Sequence, residues 1–389
     1  MLALVIISMF TILLTILLLN SLKVITHYDE LPVVKTIAEN PPLVSIIVPM
    51  RNEKRNARHC IESLISQNYP NFEVIVVDDM SKDNTLNILK DLASQHSNLE
   101  VIEGNPPPEG WVGKNHALWQ GVKWAKGDWL LFVDADTTSE PYMLNSVVRY
   151  VEENKIDMLS ISPFQVLGTF WERVAQPIII TSIHYVLSQK KINDPKSKIA
   201  AANGQFILIR RSVYEALGGH SAIKDRIVED FAMARLVKSS GYRLIVMIGK
   251  KLMRARMYTN LGEIWEGWTK NLFPGLSRRK WKWGRLVFFI VVLLAWGIIP
   301  PILFVWSFVN VVFGGVHTPV SLLILAESIF LLILIIYNGW QVTRIFAIPR
   351  YYSFTFPLGT AVLIAIMLSS AYRVASGVGV TWKERVYRL

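Results

Sequence analysis

The apolar positions of this chain fall into two regimes. From Leu43 to about Gly249, short apolar runs alternate with stretches whose apolar residues recur at helical spacing. Leu43–Val48, Glu73–Val77, Leu99–Glu103, Trp129–Val133 and Met158–Ile161 read as strands, and Glu53–Gln67, Asp83–His96 and Asn115–Lys126 between them read as helices. Strands alternating with helices of ten to fifteen residues predict βαβ units and a largely parallel sheet. An uninterrupted apolar strand such as Ser45-Ile46-Ile47-Val48 predicts a sheet covered on both faces.

Outside that region the runs are longer. Met1 to Leu22 carries no charge, and Leu2–Leu19 is almost wholly aliphatic, long enough for a spanning helix. It lacks the basic start and small-residue cleavage site of a signal peptide, so it reads as an anchor. A second charge-free stretch, Leu286–Ala326, holds one span near 286–312 and the start of another near 320–338, with Pro300-Pro301 and the 314–319 turn as interruptions. A last run, Phe354–Tyr372, contains Pro357 and Gly359 and reads either as re-entrant or interfacial, the favoured expectation, or as a further span whose basic tail departs from the positive-inside rule. The expected organisation is an anchor over 1–22, an α/β domain over 43–250, a basic and aromatic segment over 251–285, a membrane region of two or three spans over 286–372, and a basic tail over 373–389.

Composition agrees: 52% of residues are hydrophobic and 18% charged, against roughly 25% charged in soluble domains. One cysteine, Cys60, excludes a disulfide framework and a CxxC zinc site. The net charge of +11 sits mainly in Lys251–Arg285 and Arg373–Leu389, both flanking apolar runs. That placement suits the anionic inner face of a membrane rather than nucleic acid, for which no recognition motif is present. Lys23 and the Arg278–Arg285 cluster at the span ends put the domain between them in the cytosol of a multi-pass cell-membrane protein. Three further spans would then leave the basic tail outside, against its charge.

Candidate chemistry lies where strands end. Glu73–Val77 runs into Asp78-Asp79, and Trp129–Val133 into Asp134-Ala135-Asp136. Ligands of parallel sheets bind beyond the carboxyl ends of strands. Two acids one residue apart leaving a strand can hold a hard cation, Mg2+ or Mn2+, that keeps diphosphate oxygens among its ligands. No GxGxxG and no P-loop is present. Lys114, in Gly110-Trp111-Val112-Gly113-Lys114-Asn115, stands at a helix start as either a phosphate contact or an exposed turn lysine. Glu229-Asp230 opens a helix-like stretch, as a cap or as a general base. Trp265–Trp283 interleaves aromatics with Lys and Arg in the manner of an interfacial helix. His116 and His220 read as structural. Glu327, inside the third span, reads as a functional carboxylate or a helix-packing bond.

Taken in order, Pro49-Met50-Arg51-Asn52-Glu53, Val77–Thr85, Asp134-Ala135-Asp136 and Glu229-Asp230 resemble the motifs of family 2 glycosyltransferases of the GT-A fold. Gly110–Ala117, Glu266–Lys270 and Val380–Tyr387 are similar to segments of the membrane enzymes that glycosylate carotenoids, diaponeurosporenoate among them, or hopanoid-like lipids. The resemblance implies a Rossmann-like, mostly parallel catalytic domain carrying membrane helices at both ends. It implies that Asp79 reads the base of a nucleotide sugar, with Pro49 and Glu53 lining a uridine pocket. Asp134 would hold donor hydroxyls and, with Asp136, the metal; Lys114 would contact the donor, and Asp230 would be the base. Glu229, Trp265, Trp268 and Lys270 would face the acceptor, a membrane lipid presented from the bilayer. Trp265-Glu266-Gly267-Trp268 stands where processive synthases carry Gln-x-x-Arg-Trp, which favours a single transfer. A processive polysaccharide synthase, a polyprenyl-phosphate glycosyltransferase and a non-enzymatic scaffold remain the rival expectations.

Overall fold

The computed structural model describes residues 8–9, 11–16, 28–275, 282–383 and 385–387. Most of the expected 1–22 anchor lies outside the described residues, as do Arg278, Arg279, Lys280 and Trp281 of the basic cluster.

A seven-stranded sheet organises the domain, in the order β3-β2-β1-β4-β8-β6-β9. These are β1 Val44–Met50, β2 Phe72–Asp78, β3 Leu99–Glu103, β4 Trp129–Val133, β6 Met158–Ser162, β8 Phe206–Arg210 and β9 Leu244–Ile248. β1 runs parallel to both β2 and β4, and β2 runs parallel to β3. β8 is antiparallel to β4 and β6, so the sheet is mostly but not wholly parallel. The five strands read from the sequence are all present, whereas β8 and β9 were not among the expected strands. A smaller sheet joins β5 Thr137–Ser139, β10 Met253–Ala255 and β7 Phe164–Gln165.

Alternation of side chains explains why the strands are apolar throughout. Ile46 and Val48 enter one buried cluster with Leu131 and Val133, and Ile47 enters the opposite one with Leu130 and Phe132. Successive Cβ atoms point to opposite faces, and both faces are covered. The helices Ala57–Ile65 and Met143–Glu153 supply residues to the first cluster; Gly113–Val122 and Glu229–Ser239 supply the second.

Among the described residues, three helical segments beyond the domain are long and apolar enough to cross a membrane: Trp283–Val312, Pro319–Ile345 and Arg350–Ala375. Pro300-Pro301 does not break the first. The turn before it, Leu294–Ile298, widens to π-helix, and the helix resumes at Ile299 with a proline in its first turn, where a missing N–H is tolerated. The last segment is different in setting. Half of its apolar stretch is buried, against 28% and 17% for the other two. Near its start, Gly359 meets the Phe170–Val186 helix so closely that a Cβ would overlap the Val174 carbonyl. Near its end, Ser370 donates to the Thr269 carbonyl at 2.5 Å and accepts the Phe273 N–H at 3.1 Å, both on the Leu261–Gly275 helix. Both ends therefore rest on the domain, and the tail emerges beside it. Glu327 is hydrogen-bonded by Ser8 at 2.7 Å and by Thr11 at 3.0 Å, a contact between helices of the membrane region.

Candidate active site

The carboxyl ends of β1, β2 and β4 share one edge of the sheet, because the strands are parallel and in register, Met50 opposite Asp78 and Ile47 opposite Phe132. Pro49, Glu53, Asp79, Asp134 and Asp136 are thereby brought from separate parts of the chain to one cavity, which Lys114, Glu229, Asp230, Trp268 and Lys270 also line. Trp265 is not on its wall; its indole N–H turns to Ser369, at 3.3 Å. Trp268 lines the cavity with most of its surface buried, its indole N–H donating to Gln176 at 3.1 Å.

The acids separate into two electrostatic classes. Lys114 Nζ lies 2.6 Å from Asp134 and 2.6 Å from Glu229. Burial alone would lower the pKa of Lys114, but these two carboxylates outweigh it and hold the ammonium charged well above its ordinary range. Burial pushes Glu229 up, yet Lys114 and Lys270 outweigh it and keep Glu229 below its usual value. At Asp134 burial prevails over Lys114, and the pKa is raised. Among the described residues Asp136 and Asp230 form no ion pair, and Lys114 lowers their pKa values less than burial and the neighbouring acids raise them. Burial, then the charges of Asp134 and Glu53, push Asp136 up to about 7. Burial, then Glu229, push Asp230 up to about 7.

Asp230 lies in the first turn of the Glu229–Ser239 helix. Its Oδ2 accepts the Gly204 N–H at 2.9 Å and its Oδ1 the Phe231 N–H at 2.7 Å, which hold it at the cavity wall. Asp136 Oδ1 receives one long contact from Gln205 Nε2, 3.5 Å. Lys114 is a half-buried bridge between two carboxylates, not an exposed turn lysine. His220 is buried against Tyr214, its Nδ1 2.8 Å from the hydroxyl, and burial holds it neutral, with a pKa of about 3. His116 Nδ1 lies 3.1 Å from Gln120 Nε2.

Asp134 and Asp136 fit a divalent cation of the kind held by one or two carboxylates and completed by substrate oxygens. A carboxyl raised to about 7 by its neighbours is one whose ionised form a cation would restore. No group of three His, Cys, Asp or Glu side chains with metal-binding geometry occurs among the described residues, so a cation here would depend on ligands brought by the donor.

Two cations that the sequence reading assigned no role reach the same place. Arg385 and Lys383 pair with Asp79 and Glu53 across more than three hundred residues. Both lie in Val380–Tyr387, a segment whose likeness to carotenoid and hopanoid enzymes marked it, but whose side of the membrane the span count left open.

Comparison with known proteins bears on the family and the fold. Residues 45–218 match the family described as Glycosyl transferase family 2. The chain is 28% identical over 249 residues to 4,4'-diaponeurosporenoate glycosyltransferase of Staphylococcus aureus strain USA300, a match covering 63% of this chain and 65% of the relative. The same enzyme from strain MRSA252 matches equally, at 28% over 250 residues. The alignment thus spans about two thirds of the length of these relatives. Among solved structures, a mannosyltransferase from Pyrobaculum calidifontis, in complex with GDP-Man and Mn2+, superposes with a TM-score of 0.50 at 17% identity, over 94% of this chain and 98% of its own. Residues 45–218 of the α/β domain described above thus match a glycosyl transferase family 2 domain, and the fold is GT-A-like.

Proposed function

We propose that this protein is an inverting glycosyltransferase that moves a sugar from a nucleotide sugar, UDP-linked as the resemblance of Pro49, Glu53 and Asp79 to a uridine pocket implies, to the hydroxyl or carboxyl of a membrane lipid. One observation carries this reading. The cavity of about 1570 Å³ that holds Asp79, Asp136 and Asp230 continues between the membrane-region helices, where Phe289, Trp296, Phe346, Leu363 and Met367 line it. Ordinary ligand pockets are about 300 to 1,000 Å³, so there is room for a nucleotide sugar at the polar end and an apolar chain at the other.

For a hydroxyl acceptor the reaction follows from the placement of the acids. The acceptor O–H gives its proton to an Asp230 oxygen as its oxygen attacks the anomeric carbon. The bond from that carbon to the diphosphate oxygen breaks, and the nucleoside diphosphate leaves with the electron pair. A base with a pKa near 7 suits this transfer at neutral pH. Glu229, held ionised by Lys114, keeps a charge beside Asp230 that favours protonation as the hydroxyl approaches. Asp134 and Asp136 would hold Mg2+ or Mn2+, which would supply charge neutralisation at the departing diphosphate. A carboxylate acceptor would attack already ionised and would need Asp230 only for alignment.

The test is to incubate the purified protein in detergent with a panel of labelled nucleotide sugars and a membrane lipid extract. Label is expected in the organic phase as a single-sugar adduct. Efficient labelling of water-soluble glycans with none in the lipid phase would refute the lipid reading, and a long polymer would turn it to a processive synthase.

A further inference from the structure

The helix Phe356–Ala375 returns the tail to the domain, where β11 Val380–Trp382 and β12 Arg385–Tyr387 form an antiparallel hairpin. Val380 is fully buried, and the turn enters the cavity beside the expected base pocket. Arg385 makes a two-point contact with Asp79, Nη1 to Oδ2 and Nη2 to Oδ1, the latter at 2.9 Å. Lys383 Nζ donates to Glu53 at 2.7 Å and to the Asn52 carbonyl at 3.2 Å, and Arg51 Nε donates to the Lys383 carbonyl at 3.1 Å.

We infer that this hairpin completes the donor site, with Arg385 as the positioning residue for Asp79 and Lys383 for Glu53. The inference rests on the nucleotide-sugar reading above and assigns that site two further residues. Three features favour a built-in wall over a plug that must leave. First, the fit is shaped on both sides: a Cβ at Gly113 would overlap the Arg385 guanidinium, so the helix start is cut back to admit it. Second, an ionised carboxylate has about four acceptor positions. A bidentate arginine uses two, so Asp79 keeps capacity for a base N–H while its rotamer is held. Third, Glu53 and Asp79 left alone would repel an anionic donor, and the tail sets one cation against each.

The experiment measures UDP and GDP binding by titration calorimetry, together with KM and kcat for the labelled donor, on the full chain in detergent. Arg385→Gln and Lys383→Gln should each raise Kd and KM about tenfold, the effect of losing one charge-assisted contact, with kcat changed less than about twofold. Arg385→Lys should recover part of the loss. In an Asp79→Asn background Arg385→Gln should add little, since its effect runs through Asp79. A thermal midpoint for each variant separates misfolding from lost positioning, and Lys383→Gln stands in if Arg385→Gln does not fold. Unchanged or tighter nucleotide binding in both glutamine variants would overturn the proposal and identify the tail as inert or as a plug. Failure of the wild-type protein to bind either nucleotide would instead overturn the donor reading beneath it.

Discussion

Lys114 Nζ stands 2.6 Å from Asp134 Oδ1, so the first acid of the Asp134-Ala135-Asp136 turn is neutralised by the protein itself. The same ammonium holds Glu229 at 2.6 Å. Lys114 thereby gives Asp134 and Glu229 a shared counter-charge, whereas Asp136 and Asp230 on the same cavity wall form no ion pair among the described residues.

Asp230→Asn keeps the size of the side chain and cannot take a proton. Turnover should fall about 10²-fold or more with nucleotide binding retained, if the acceptor is a hydroxyl. Because Asp230 is protonated below about 7, wild-type kcat should rise with pH through that value, and the variant should lose that limb. Equal small losses in binding and turnover would reduce Asp230 to a helix cap.

Asp136→Asn should abolish donor turnover and yet protect the fold at high pH. The folded pKa of Asp136, about 7, lies above its ordinary 3.8. The native chain therefore binds the extra proton, and this residue's contribution to stability is present below about pH 4 and lost as pH rises through about 7. In chelator, the variant's thermal midpoint should exceed the wild type's at pH 8 and converge with it only below about pH 4. A lower midpoint at pH 8 would contradict the assignment of strain to this carboxyl.

Lys114→Met leaves Asp134 and Glu229 without their shared cation. The expected loss is about 3 kcal/mol, at the lower end for breaking a buried pair because the group keeps some solvent contact. Lys114→Met with Glu229→Gln should be less destabilised than the single variant, measured by denaturant unfolding. Additive losses would mean that the pair is not coupled.

The domain and the tail should lie on one side of the membrane, the cytosolic side under the proposed topology. Gln95→Cys and Ser376→Cys are both exposed positions, and the native Cys60 is buried. An impermeant maleimide applied to intact cells should label neither, and both should react after lysis. Labelling of one without the other would separate the tail from the domain.

Local pattern was enough to specify the five strands β1, β2, β3, β4 and β6, the three helices between β1 and β4 and the acids at the strand ends, because period-two and period-3.6 burial is written in neighbouring residues and register in a parallel sheet then aligns the strand ends. It also marked the apolar runs, whose length is a property of the chain itself. Three matters were decided only by packing. β8 was not separable from its surroundings, since an antiparallel strand inserted between β4 and β6 is defined by partners distant in sequence. The side on which the tail emerges depended on Gly359 and Ser370 seating the last apolar helix on the domain, which no count of spans contains. The division of the acids among Lys114, Lys383 and Arg385 likewise came from the fold: a lysine or arginine in sequence has reach but no address, and its charge acquires a partner only when the backbone sets it within hydrogen-bond distance and out of water.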